Sequence, residues 1–251
     1  MTALNFTSRV PIFDANLRVG DRHDKPAPFR NRAALLAEMD RHGVERALVY
    51  HALTEWNSPT EGNQLLERWL DTDGRLTPQW SMMPTAESLA QIRALHAVGR
   101  VTSVRLHDTN LIGLPFRSWV YDPMLAWLTE NQIPLWIPLP DVNAGDLVTT
   151  LQEYPELVSV IVGAHYVHAL WVRPLLKALP NAHLELSRYE TIGDIEALYR
   201  EFSVERFLYG SWYPRYAMGP MLFYLHHLDL APESLAQICA QNLEKLIGER
   251  P

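Results

Sequence analysis

The sequence predicts one α/β barrel, and three observations lead to this prediction. Eight short apolar segments that suit buried strands alternate with segments of helical periodicity, which favours a parallel sheet closed by helices. The chain has 251 residues, a length typical of a single α/β barrel. Hydrophobic residues make up 47% of the chain, which is ample for one large core. We therefore expect a single domain over residues 1–251.

Composition and the order of residue types exclude several classes of protein. No run of about 18 apolar residues is present, so we expect no membrane partner. Residues 1–9 lack the basic start and apolar core of a secretion signal. Cys239 is the only cysteine, which excludes an intrachain disulfide and fits a reducing compartment. The sequence thus favours a cytoplasmic location.

The charge pattern indicates which partners to expect. The formal net charge is −7 and is spread without blocks, whereas a general nucleic-acid binder needs a basic face. We therefore expect a small-molecule ligand and no nucleic-acid partner. Composition leaves the question of a homo-oligomer open.

The first predicted strand covers residues 10–16 and brings two polar side chains to one face. Asp14 and Asn16 are two positions apart, so they point to the same side of the strand. If this strand lines a barrel, both side chains enter its mouth. The alternative is a strand end that turns into a loop, where Asp and Asn are common turn residues.

The following segments continue the alternation of strand and helix. Gly43 ends the first predicted helix, and the loop over residues 51–59 is predicted to cover the mouth. Arg105 and His107 share one face of the fourth predicted strand. Predicted strands two to four lie within residues 46–51, 74–84 and 101–107, and the predicted helices are residues 31–42, 61–70 and 87–98.

Strands five to eight complete the predicted barrel. His165 ends the sixth, and Glu185 and Ser187 share one face of the seventh. A carboxylate inside a barrel needs a partner, for which Arg105 and Arg18 are the candidates. These strands lie within residues 134–138, 158–165, 182–187 and 206–210.

The end of the eighth strand carries a recognisable phrase. Residues 209–214 read Tyr-Gly-Ser-Trp-Tyr-Pro after an apolar run. This phrase resembles Phe-Gly-Ser-Asp-Tyr-Pro, with which the last barrel strand ends in the amidohydrolase-related (amidohydrolase family 2) metal-dependent hydrolases. In that family the Asp is a metal ligand and the catalytic base. Here Trp212 takes its place, and an indole offers one N–H donor and no acceptor.

Other segments carry the same resemblance over nearly the whole chain. They include residues 39–49 and the end of strand six. Residues 121–134 resemble the family's helix leading to strand five, and residues 234–248, with Asn242, resemble its closing helix. The resemblance implies a (β/α)8 TIM barrel of the metal-dependent hydrolase kind, with its site at the carboxyl ends of the strands. Function still has to be argued from the site.

The metal positions of the resembled family differ in this chain. The resemblance implies five ligand positions, which are occupied here by Asp14, Asn16, Pro138, His165 and Trp212. His165 alone matches the family in ligand type, and a catalytic divalent ion usually needs about three protein ligands. We therefore expect no bound metal and no other cofactor.

Three hypotheses about function remain open. The first is a hydrolase that works without the family's metal on a small carboxylated substrate such as a lactone, an amide or a ring acid. The second is a catalytically silent barrel that binds a small molecule or a protein partner. The third is a hydrolase with a rebuilt metal site made of His107, His165 and Glu185, with Asp14 as a further candidate. The sequence favours the first.

Side-chain chemistry explains why each of these residues is a candidate for catalysis or for substrate binding. Histidine and aspartate side chains exchange protons, and arginines hold carboxylates through two parallel hydrogen bonds. The predicted catalytic residues are His165, His107 and Asp14. The predicted substrate-binding residues are Asn16, Arg18, Arg105, Glu185, Arg188, Trp212 and Arg215.

Overall fold

A computed structural model describes residues 6–70 and 74–248 of the chain. Part of the N-terminal segment considered above, residues 1–5, lies outside the described residues, as do residues 71–73 and 249–251 of the predicted domain. Nine strand segments are formed in the described chain: β1 (Phe13–Val19), β2 (Arg46–His51), β3 (Leu76–Pro78), β4 (Trp80–Met82), β5 (Val104–Leu106), β6 (Leu135–Pro138), β7 (Ser159–Val162), β8 (Ala182–Glu185) and β9 (Phe207–Leu208).

These segments form one closed parallel barrel of eight strands. β3 and β4 are a single strand interrupted at Gln79: β3 pairs with β2, and β4 pairs with β5. Parallel pairing continues from β5 to β9. The barrel closes because the chain after β9 pairs with β1, where Ala15 N donates to Tyr209 O at 3.0 Å and Arg18 N donates to Tyr213 O at 2.8 Å. The predicted α/β barrel is confirmed.

The first strand lies later in the sequence than predicted. β1 runs to Val19, and its register with β2 shifts between Asp14 and Leu17. Asp14 and Asn16 therefore lie within the strand and not at its end. A shift of pairing register is decided by the partner strand, which the pattern of one segment does not contain.

Eleven α-helices occur among the described residues, most of them packed outside the barrel. Side chains of Asn31, Ser58, Thr85 and Asn143 cap four of them by accepting a backbone N–H of the first turn. The helices are α1 (Arg32–Arg41), α2 (Leu53–Trp56), α3 (Pro59–Leu66), α4 (Ala86–Ala97), α5 (Ser118–Glu130), α6 (Ala144–Glu153), α7 (Ala169–Ala178), α8 (Asp194–Phe202), α9 (Gly219–His227), α10 (Pro232–Ala236) and α11 (Asn242–Leu246). None of these described helices is long and apolar enough to cross a membrane.

The last helical segments hold the barrel seam together. A π-helical turn, Gln237–Gln241, separates α10 from α11, and its Ile238 O accepts the N–H of Tyr209 at 2.7 Å. The Asn242 amide donates to Val204 O and Phe207 O, both at 2.9 Å. The closing helix is thus bonded to the last strand at the point where the barrel closes.

Candidate active site at the carboxyl ends of the strands

The barrel interior contains a fully buried polar cluster made by β1, β8 and the segment after β9. One carboxylate oxygen of Asp14, Oδ1, accepts the backbone N–H groups of Asn16 and Ser211, both at 2.9 Å. The Asn16 amide donates to Glu185 Oε2 at 3.3 Å. Glu185 also accepts from the backbone N–H of Ser187 at 2.8 Å and from its hydroxyl at 2.9 Å. The cluster therefore satisfies most of its hydrogen-bonding groups internally.

Both buried carboxyl groups are difficult to ionise. Burial raises the pKa of Asp14 to about 6, against the lowering effect of hydrogen bonds from Ser211 and Asn16. Burial also raises the pKa of Glu185 to about 7, hydrogen bonds from Ser187 lower it, and the charge of Asp14 raises it further. Neither side chain is exposed to solvent. Both therefore lie inside the barrel, closed off from solvent.

Replacing Glu185 by glutamine should change how stability depends on pH. Because its folded pKa of about 7 lies above the ordinary value of 4.5, the folded protein binds more protons than the unfolded chain between these pH values. Glu185 therefore lowers the free energy of unfolding as pH rises from about 4.5 to 7, by on the order of 3 kcal/mol. Glu185→Gln should be more stable relative to wild type at pH 8 than at pH 4.5, as measured by urea unfolding.

The comparison with wild type is needed because buried histidines act in the opposite direction. Burial lowers the pKa of His51 and of His183 to about 4, and these residues add stability as pH rises to about 6.5. The exposed residue Glu156 supplies a matched control, Glu156→Gln. An equal difference from wild type at both pH values would contradict the prediction.

A second network lies above the buried cluster and closer to the mouth. The Arg105 guanidinium stacks on the Tyr50 ring at 3.9 Å and donates to Asn16 Oδ1 at 3.2 Å. Glu55, on α2, accepts from the Tyr50 hydroxyl at 2.7 Å and from Arg18 Nη1 at 2.9 Å. The loop predicted to cover the mouth thus holds Arg18 and Tyr50 through Glu55.

Trp212 fills the interior at the position where the resembled family has its catalytic aspartate. Its backbone has φ +52°, a left-handed conformation that is uncommon for a bulky residue. The indole N–H donates to the Tyr50 hydroxyl at 2.8 Å, and the exposed Arg215 stacks on the ring at 4.4 Å. A Cβ atom added to Gly163 would lie only 2.1 Å from Cζ3 of the Trp212 ring. A glycine is therefore required opposite this tryptophan.

Asp141 is a site residue that the sequence prediction did not include. It ends a short 3-10 turn directly after β6, so it lies at the carboxyl end of the fifth barrel strand. Burial, then the negative charge of Asp108, raises its pKa to about 7, and the charges of Arg105 and Arg215 act against this. Its side chain makes no hydrogen bond to the described part of the chain. The signal available in the sequence was an aspartate three residues after a strand-ending proline.

The predicted histidines are not part of these networks. His107 Nδ1 faces Met82 O at 3.2 Å and Nε2 faces the Tyr121 hydroxyl of α5 at 3.4 Å, and burial lowers its pKa. His165 is only half-buried, and its Nε2 lies 2.8 Å from a nitrogen of Arg188. The structure therefore brings together Asp14, Asn16, Arg105, Glu185 and Trp212, and His107 makes no hydrogen bond to them. The His165–Arg188 pair approaches Trp212 only through Tyr216, on whose ring Arg188 stacks at 4.2 Å.

The residues at the resembled metal positions do not fit a divalent ion. Asp14 has one oxygen bonded to two backbone N–H groups, although its Oδ2 is buried without a partner. The Asn16 amide lies between Glu185 and Arg105, Pro138 has no side-chain donor atom, and Trp212 cannot ligate. Within residues 6–70 and 74–248, no group of three His, Cys, Asp or Glu side chains could hold a metal. His107, His165 and Glu185 are not assembled into such a group.

A cavity of about 710 Å³ opens at the opposite, amino-terminal end of the barrel. Its arginines are already bonded: Arg9 to His226 O, Arg41 to Glu38, and Arg75 to Asp40. The carboxyl end of a (β/α)8 barrel is where catalytic residues are found, so we place the candidate site there and not in this cavity.

Comparisons with known proteins support the fold. No family model and no curated protein sequence matches the chain. Among solved structures, an uncharacterised TIM-barrel protein from Bordetella bronchiseptica aligns with a TM-score of 0.75 and 18% identity over 96% of this chain and 99% of that one. The 5-carboxyvanillate decarboxylase LigW from Sphingomonas paucimobilis aligns at 0.73 and 12%, over 95% and 99%. An amidohydrolase from Mycobacterium avium aligns at 0.61 and 18%, over 88% and 75%.

Proposed function

We propose that this protein is a hydrolase that acts at the barrel mouth on a small carboxylated substrate without a divalent metal. The observation that carries the proposal is the position of Asp141, a half-buried carboxyl group at the carboxyl end of the fifth barrel strand, whose pKa burial raises to about 7 while the charges of Arg105 and Arg215 act against this. A general base works best when its pKa lies near the working pH. The fold shared with an amidohydrolase and a decarboxylase is consistent with an enzyme, but it does not define the reaction.

In this proposal the arginines bind the substrate and Asp141 moves the proton. Arg105 and Arg215 attract and orient the substrate's carboxylate, while Arg18 is held in place by Glu55. The Asp141 carboxylate takes a proton from water as the water oxygen attacks the carbonyl carbon of a lactone or amide. The same proton then passes to the leaving oxygen or nitrogen when the carbonyl–heteroatom bond breaks. Asp141 returns to its ionised form, so the proton count balances.

The predicted catalytic residues receive different roles. Asp14 is fully buried, and we assign it to holding the turn at Ser211 beneath the site. Nε2 of His165 is directed at Arg188, which leaves this histidine poorly placed to accept a proton from water. Buried His107 connects β4 to α5 through its two ring nitrogens. Asp141 is thus the better candidate for the base.

Trp212 favours a second candidate, a barrel that binds a small molecule without turnover. Its indole occupies the position at which the resembled family has its catalytic aspartate, and it is 1% exposed. A site closed from below in this way still offers Arg105, Arg215 and Asp141 to a ligand. Binding without any turnover would distinguish this candidate from the hydrolase.

Hydrolysis should be insensitive to chelators. We would screen carboxylated lactones, amides and ring acids with the purified protein, first with EDTA and then with added zinc or manganese. We expect the same rate in both, because the residues present do not fit a metal. His165→Ala should retain most activity, and Asp141→Asn should lose it. Elemental analysis showing about one metal per chain, together with activity abolished by EDTA, would overturn the metal-free mechanism.

A further inference from the structure

Gln79 presents an unused hydrogen-bond donor inside the barrel. It lies at the interruption between β3 and β4, and 1% of its surface is exposed. Its Oε1 lies 3.5 Å from Arg105 Nη1, and its amide nitrogen Nε2 is buried without a hydrogen-bond partner. A buried donor left unpaired destabilises the folded state, so this amide points to an acceptor supplied by a ligand.

Arg105 beside it is a buried cation whose charge no carboxylate neutralises directly. It is 2% exposed, and within the described chain it forms no ion pair with a carboxylate. Nη1 faces the amide oxygens of Asn16 and Gln79, whereas Nε and Nη2 make no hydrogen bond to described residues. Since an unpaired buried charge is costly, this site is completed best by an anion.

The surrounding charges favour an anionic ligand as well. Arg18 is joined to the same Tyr50 through Glu55, and its Nε is also buried without a partner. Arg215 adds a third cation, stacked on the Trp212 ring. Against these stand Glu55, which is already paired, and Asp141, whose raised pKa keeps it partly protonated near pH 7.

We infer that Gln79 and Arg105 form a clamp for one carboxylate group, with one oxygen accepting from the guanidinium and the other from the Gln79 amide. The inference rests on the proposed function and names the residue that selects its substrate. The Gln79 side chain lies against the guanidinium through its amide oxygen, and within the described chain each group keeps a free N–H donor, so together they can supply one donor to each oxygen of a carboxylate. A carboxamide would direct its own NH2 at one of these donors. The clamp should therefore select the carboxylate.

Titration calorimetry with benzoate and benzamide, and with acetate and acetamide as smaller probes, tests the clamp. We expect wild type to bind at least one carboxylate tenfold or more tightly than its amide. Gln79→Glu keeps the side-chain shape but places a carboxylate against Arg105, so affinity for benzoate or acetate should fall at least tenfold. The oxygens of the new glutamate can accept a hydrogen bond from the NH2 group of benzamide or acetamide. The binding preference of this variant should therefore shift from the carboxylate toward the amide.

Two further variants separate the clamp from folding and from net charge. Gln79→Met retains length and volume without a donor, and it should lose carboxylate affinity without gaining affinity for the amide. Gln152→Glu makes the same change on an exposed residue and should bind like wild type. Wild-type carboxylate affinity in both Gln79 variants, or no preference for carboxylate in wild type, would overturn the clamp.

The clamp and the hydrolase can fail independently. Asp141→Asn should bind benzoate at least as tightly as wild type, because Asp141 is not part of the clamp and its negative charge opposes an anion near Arg105. For a hydrolysed substrate, Gln79→Met should raise KM more than it lowers kcat. If the clamp variants behave as expected and no substrate is turned over, the hydrolase proposal fails and the clamp stands.

Discussion

Asp141→Asn should lower kcat by about 10²–10⁴, the usual contribution of a positioned general base. Asparagine has the same shape but cannot accept a proton, so water in the site is no longer activated. The wild-type rate should rise through about pH 7 as Asp141 ionises, and the variant should lose this rise. Steady-state kinetics from pH 5 to 9 measures both effects.

A measurement of stability distinguishes a fall in kcat caused by loss of the general base from one caused by unfolding of the variant. Asp141 has a folded pKa above its ordinary value of 3.8, so its ionisation destabilises the folded protein as pH rises from about 4 to 7. Asp141→Asn should therefore be as stable as wild type, or slightly more stable, at pH 8. A kcat within twofold of wild type, with normal melting, would rule out Asp141 as the base.

The neighbouring Asp108 provides a matched control. Its charge raises the pKa of Asp141, and its Oδ1 accepts the backbone N–H groups of Asn110 and Leu111. Asp108→Asn keeps an acceptor oxygen for this turn but removes the charge. The pH profile should therefore move to lower pH with little loss of maximal rate. A loss of rate as large as that of Asp141→Asn would show that the conformation of this turn, and not proton transfer by Asp141, controls the rate.

Gly163→Ala should lower the free energy of unfolding by roughly 2–5 kcal/mol. The new methyl would lie 2.1 Å from Trp212 Cζ3, so the indole must move, and overpacking of this kind costs about 1–3 kcal/mol. Gly163 also has φ +74°, which adds about 1–2 kcal/mol for a residue with a Cβ. Denaturant unfolding measures the total, and Trp212 should lose its hydrogen bond to Tyr50.

Gly99→Ala isolates the backbone contribution in this experiment. Gly99 has nearly the same conformation, φ +73°, but a Cβ there would meet no atom within 4 Å. Gly99→Ala should therefore lower the free energy of unfolding by about 1 kcal/mol and by no more than about 2 kcal/mol. In addition, Trp212→Phe should reduce the cost of Gly163→Ala, because the smaller ring leaves space for the methyl. Equal costs for the two glycine variants would show that Trp212 does not press on Gly163.

The site could be predicted only in part, and the particular residues show why. Arg105 and Glu185 were placed inside the barrel by the period of two along their strands. Asp141 and Gln79 were missed because nothing in their own segments signals function: one follows a proline and the other interrupts a strand. Their chemical character comes from Arg105, Arg215 and buried surroundings, which the fold supplies from distant parts of the chain.

The sequence by itself determined the barrel, because the alternation of apolar strands and helices leaves few other ways to bury so much apolar surface. It also determined that Trp212 brings an indole, without an acceptor, to the end of the last strand. Only the tertiary structure decided which polar groups are buried, which are paired and which are left unpaired. The pKa of Asp141 and the unused donor of Gln79 depend on desolvation and on contacts between residues far apart in the chain, and local sequence patterns carry no information about either.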